Sequence, residues 1–183
     1  MENSTQLNLI SMSEINAEEV HWLWYPYIPL GKLTIIQGDP GEGKTSFILA
    51  VIAALTRGEP LPECAQAAKP MNVIYQTAED GLADTIKPRL ENAGADCTRV
   101  LVIDESKQEL TLCDARLEQA IRKTSAKLIV LDPLQAYLGS DVDMHRANEV
   151  RPVLKRLSLM AERTQCAVIL IGHMNKAQGL KSG

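Results

Sequence analysis

The stretch KLTIIQGDPGEGKTS, residues 32–46, decides the fold. Its first part, Lys32 to Gln37, is a short apolar run that reads as a buried strand. The next eight residues, Gly38-Asp39-Pro40-Gly41-Glu42-Gly43-Lys44-Thr45, carry the spacing G-x-x-x-x-G-K-[ST] of a phosphate-binding loop. Gly43 to Thr56 is helical by length and composition. A strand, a glycine-rich turn and a helix therefore follow one another. Glycines let backbone N–H groups converge on phosphate oxygens, and the helix start adds partial positive charge. Lys44 is expected to reach the outer phosphates and Thr45 to ligate Mg²⁺, with Gly38, Asp39, Pro40, Gly41, Glu42, Gly43 and Ser46 completing the cradle.

Working outward, strands and helices alternate. Asn72 to Gln76, Arg99 to Ile103, Lys127 to Leu131 and Cys166 to Ile171 read as further strands. Leu82 to Ala93 reads as a helix closed by Gly94, with Pro88 a blemish. Asp114 is placed to cap a helix running to about Thr124, with Leu117, Ala120 and Ile121 on one face. Val150, Val153, Leu154, Leu157, Met160 and Ala161 share one face of a helix over roughly residues 147–163, with Pro152 tolerated in its first turns. Strands that are near-continuous apolar runs need helices on both faces, so an α/β fold with a mainly parallel sheet follows. Residues 1–20 read as a polar lead-in and residues 21–183 as the core. His21 to Leu30 holds both tryptophans, and its prolines argue against a helix. It either straps across the body or joins a nucleotide-base pocket. The chain stops soon after the fifth strand, which reads as a truncated sheet.

Three further segments carry chemistry. Leu128 to Asp132 is an apolar strand ending in an acid, and strand C-terminal ends face the ligand crevice in such sheets. Asp132 is expected to hold Mg²⁺, directly or through water. Glu79 lies just past the second strand, where a carboxylate polarises an attacking water. Asp80 competes for that role, and Glu79 also suits the first turn of the following helix. His173, closing the fifth strand, is placed to sense a γ-phosphate or to be a plain strand-end histidine.

Composition bounds the rest. A chain of 183 residues that is 45% hydrophobic and 23% charged buries a sizeable core, which excludes a disordered tail and a disulfide-stapled miniature fold. Net charge is −4, but residues 1–144 carry −9 and residues 145–183 carry +5. That basic segment is either a polyanion contact or a solvated helix face. Cys64, Cys97, Cys113 and Cys166 form no C-x-x-C pair, and His21, His145 and His173 have no metal-ligand spacing. Reduced thiols and an N-terminus unlike a signal peptide suggest a cytoplasmic protein. The longest apolar run, Phe47 to Leu55, is too short to span a bilayer.

Together PLGKLTIIQGDPGEGKTS, YQTAEDG, LIVLDPLQAYL and GHMNK resemble the RecA-like P-loop NTPases, and most closely the RepA-type hexameric replicative helicases among AAA-family ATPases. The resemblance spans roughly residues 22–178. It implies ATP and Mg²⁺ as cofactors, bound at a subunit interface of a ring-shaped, hexameric homo-oligomer. It implies Glu79 as the catalytic base and His173 as the γ-phosphate contact, with Lys44 in the catalytic set. It also implies that the basic stretch after the last motif, with Lys176 and Lys181, faces single-stranded DNA. RecA-like motors usually continue into further strands with DNA-contacting loops and an arginine finger. Arg146 and Arg151 carry no pattern that assigns either as that finger.

The leading expectation is an ATPase coupled to DNA unwinding or translocation in replication. The alternative is a nucleotide-gated DNA-binding module that regulates without moving DNA. A small-molecule kinase would need an arginine-rich substrate lid, and none is legible.

Overall fold

A computed structural model describes residues 7–64, 69–140, 142–144 and 146–173, with His173 in its backbone alone. A small antiparallel hairpin, β1 (Trp22–Trp24) and β2 (Ile28–Pro29), precedes β3 (Leu33–Gly38) and α1 (Lys44–Arg57). There follow β4 (Val73–Thr77), α2 (Lys87–Asn92), β5 (Val100–Leu101), α3 (Ala115–Thr124), β6 (Leu128–Asp132), α4 (Ala147–Thr164) and β7 (Ala167–His173). The main sheet has five strands in the order β3-β7-β6-β4-β5, and every neighbouring pair is parallel.

Alternation along the strands explains the layers. Leu128 and Val130 of β6 join Tyr75, Ile169 and helix α1 in one core. Ile129 and Leu131 point the other way, against Leu117 of α3 and Leu157 of α4. All five residues of β6 are buried, which is why that strand reads as unbroken apolar sequence. The fold is the RecA-like α/β arrangement, a parallel sheet flanked by helices.

The hairpin settles the role of the tryptophan segment as packing. Trp24 and Ile28 are buried in the α1 core, and the Trp24 indole N–H donates to the Pro62 carbonyl at 2.9 Å. Residues 7–20 lie exposed along their length. Cys166, at the foot of β7, is fully buried, and burial pushes its thiol up to about 12.

Two expected elements differ. The helix expected over residues 82–93 is not a single α-helix: Leu82–Ile86 forms a wide turn in which the Ile86 N–H donates to the Gly81 carbonyl at 3.0 Å. The α-helix starts afresh at Lys87, so Pro88 falls in a first turn where its missing N–H costs nothing. The strand expected over residues 99–103 is shortened to Val100–Leu101, paired with Val73 and Ile74. Beyond it, the Gln76 side chain replaces the backbone ladder. Its Oε1 accepts from the Ile103 N–H at 2.5 Å and its Nε2 donates to the Ile103 carbonyl at 3.3 Å.

Strand register brings the functional ends together. Gly38 of β3 sits opposite His173 of β7, and Thr77 of β4 opposite Asp132 of β6. Four strands therefore end at one sheet edge, where the glycine-rich loop also lies.

Candidate nucleotide site

The loop from Gly38 to Thr45 is held in shape by its own polar groups. Gly41 and Gly43 have φ of 85° and 78°, a left-handed conformation that a side chain would strain. Gly43 is the N-cap of α1 and offers no side-chain cap, and the first turn holds no acid. The first backbone bond of the helix runs from the Phe47 N–H to the Gly43 carbonyl at 2.8 Å. The N–H groups of Lys44, Thr45 and Ser46 thus open toward the loop, the arrangement that receives an anion. Glu42 folds back, its Oε2 accepting from the Asp39 N–H at 2.8 Å.

Lys44 is the electrostatic centre. It is 9% exposed, and its ammonium donates to the carbonyls of Gly38 at 2.9 Å and Asp39 at 2.7 Å. Among the described residues no carboxylate pairs with it. A buried ammonium balanced only by carbonyl dipoles favours an incoming anion.

Thr45 and Asp132 meet, although 87 residues separate them: Thr45 Oγ1 donates to Asp132 Oδ2 at 2.9 Å. Asp132 is buried, and the Tyr75 hydroxyl donates to the same oxygen at 3.0 Å. A hydroxyl and a carboxylate beside a phosphate loop suit Mg²⁺, which takes few protein oxygens and fills its octahedron with phosphate and water. Among the described residues no group of three or more His, Cys, Asp and Glu side chains gathers to hold a metal by itself.

Glu79 lies exposed just beyond β4. The turn that carries it is tied to β6 by the Ala78 N–H donating to the Asp132 carbonyl at 3.1 Å. Asp80 is engaged elsewhere, paired with Arg89 at 3.5 Å. The backbone of His173 ends β7 beside Gly38. Lys176 and Lys181 lie outside the described residues. Arg146 pairs with Asp143 at 3.4 Å and Glu149 at 3.3 Å, and Arg151 is exposed on α4.

Two buried polar residues join this region without having been singled out by motif. Tyr75 reaches Asp132, and Gln76 also donates to Glu105 Oε1 at 2.6 Å. Their signal in the sequence is faint: polar tips within an otherwise apolar strand, NVIYQ.

A family model described as an AAA domain (AAA_25) matches residues 6–179. Among curated proteins, the chain is similar to the DNA repair protein RadA of Halalkalibacterium halodurans, 26% identical over 155 residues, covering 84% of this chain and 30% of the relative. RadA of Bacillus subtilis is 25% identical over 148 residues, covering 80% of this chain and 28% of the relative. RadA of Haemophilus influenzae is 26% identical over 184 residues, covering 94% and 36% respectively. The chain therefore spans about a third of the length of these relatives. No described helix is long and apolar enough to cross a membrane.

Proposed function

Because the chain belongs to the AAA domain family and has a RecA-like ATPase fold, we propose that it binds ATP with Mg²⁺ at the Lys44–Thr45–Asp132 site and hydrolyses it to drive movement along DNA. The observation that carries this reading is the 2.9 Å contact from Thr45 to Asp132 beside the buried Lys44. Lys44 has two of its three donors engaged within the loop, and turns the third to the β- and γ-phosphates. The N–H groups opening α1 hold the remaining phosphate oxygens. Thr45 and Asp132 would hold Mg²⁺, which supplies charge neutralisation on the transferring phosphoryl group. Glu79 accepts the proton of the attacking water, and Asp80, committed to Arg89, does not. His173, at the end of the strand beside Gly38, contacts the γ-phosphate.

The motor is read as a RepA-type helicase or translocase acting in DNA replication, assembled as a homo-oligomeric ring with single-stranded DNA as partner. The relatives' printed role in DNA repair supports a DNA-linked task of the same general kind. The test is steady-state ATP hydrolysis with and without single-stranded DNA, Lys44→Ala giving the background. Stimulation by DNA is the expected result. Tight nucleotide binding with no DNA response overturns the motor and leaves the nucleotide-gated regulatory module.

A further inference from the structure

We infer that Tyr75 is a positioning residue for Asp132: its buried hydroxyl fixes the carboxylate that works with Thr45 on the metal. The inference rests on the nucleotide site proposed above. β4 and β6 run in register, Tyr75 opposite Val130 and Thr77 opposite Asp132. Tyr75 thus lies two residues below the strand ends on the same face as Thr77, and its ring carries the hydroxyl up to Asp132 Oδ2, 3.0 Å away. The side chain is 0% exposed, so the hydroxyl has no water to turn to. Burial and the neighbouring Asp132 charge push the phenol's pKa far up, so Tyr75 stays protonated and remains a donor throughout the pH range in which the protein folds.

The division of labour follows from both donors sharing one oxygen. Thr45 Oγ1 and the Tyr75 hydroxyl both donate to Asp132 Oδ2, at 2.9 and 3.0 Å. Thr45 opens α1, and its hydroxyl turns from Asp132 when it ligates a cation. Tyr75 comes from the middle of a buried strand and has no such second task. Its bond persists, and Asp132 keeps one orientation in the free and the metal-bound site. Partners of this kind set metal affinity through the ligand they orient.

The test is Tyr75→Phe, which removes one oxygen and leaves the ring packed. Binding of a fluorescent ADP analogue is titrated with excess Mg²⁺ and again with EDTA. The metal-free Kd is expected to stay within about twofold of the parent. The Mg²⁺ concentration needed for tight binding is expected to rise by about tenfold or more. Tyr137→Phe is the matched control: Tyr137 is also buried, and its hydroxyl has no hydrogen-bond partner among the described residues. It is expected to leave both readings unchanged. An unaltered Mg²⁺ requirement in Tyr75→Phe overturns the inference. An equal loss with and without Mg²⁺ also overturns it, by showing a structural role. Should Tyr75→Phe fail to fold, ¹³Cζ-tyrosine NMR of the parent decides: the Tyr75 resonance keeps its hydrogen-bonded position when Mg²⁺ and ADP are added, or the inference falls. A parent protein that binds no nucleotide under either condition sinks the proposed site itself, a result distinct from the other two.

Discussion

Replacing Lys44 with alanine is expected to abolish nucleotide binding while leaving the fold intact. In the free protein two terms oppose each other. The change removes the ammonium's hydrogen bonds to Gly38 and Asp39, and it also removes a buried charge that no carboxylate balances. Each term is on the order of 1–3 kcal/mol, so the net change in stability is expected to fall within about 1 kcal/mol. In the bound state nothing offsets the loss. A phosphate in a dry cradle without its cation costs about 3 kcal/mol, roughly a 150-fold weaker Kd. The assay is the nucleotide-induced rise in Tm. At 100 times the parent's Kd, bound nucleotide stabilises the parent by about 2.7 kcal/mol. That corresponds to a rise of about 5–10 °C for a chain of this size. With Kd weakened about 100-fold or more, the same nucleotide supplies about 0.4 kcal/mol or less, a rise of about 1 °C. A variant that gains Tm as the parent does would refute the role given to Lys44. A variant that unfolds without nucleotide would refute the reasoning about its free state.

Glu79→Gln is expected to keep nucleotide affinity within about twofold and to slow hydrolysis by about 10²-fold or more, read as phosphate release; hydrolysis at the parent's rate removes Glu79 as the base. Gly43→Ala is expected to lose about 1–2 kcal/mol in urea unfolding because φ is 78° there, and Gly43→Asn to lose less, since Asn tolerates the left-handed region. No atom lies within 4 Å of an added Cβ at Gly43, so equal losses in both variants would contradict a purely conformational cause. Between α3 and α4, Glu118 accepts from Arg163 and Arg122, each at 2.7 Å, and these hydrogen bonds hold its carboxyl below the ordinary 4.5. A depressed folded-state pKa adds stability that is fully present above 4.5 and lost as pH falls through the folded value. Glu118→Gln is therefore expected to be less stable than the parent at pH 7, with the gap closing toward about pH 3; a gap of constant size across that range would exclude the linkage.

What could be read from the sequence follows the range of the forces involved. The phosphate loop was legible because backbone conformation and charge there depend on contiguous residues, Gly38 to Thr45. The buried strands were legible because LIVL and AVILI face helices on both sides and carry no alternation. The break before Pro88 was visible only as a blemish, since nothing in residues 82–86 announces a wide turn. The end of β5 was not legible at all: it is set by the Gln76 side chain, 27 residues away, taking over the N–H of Ile103. Asp132 was found by its place at a strand end. Tyr75 escaped notice because its value depends on strand register, which puts its hydroxyl against Asp132 across 57 residues of sequence.

The most direct test of the central claim is the rate of phosphate release from ATP with Mg²⁺, with EDTA, and in Lys44→Ala. The account predicts release that requires Mg²⁺ and falls to background in the variant. Equal rates in the parent and Lys44→Ala would place the chemistry elsewhere and contradict it.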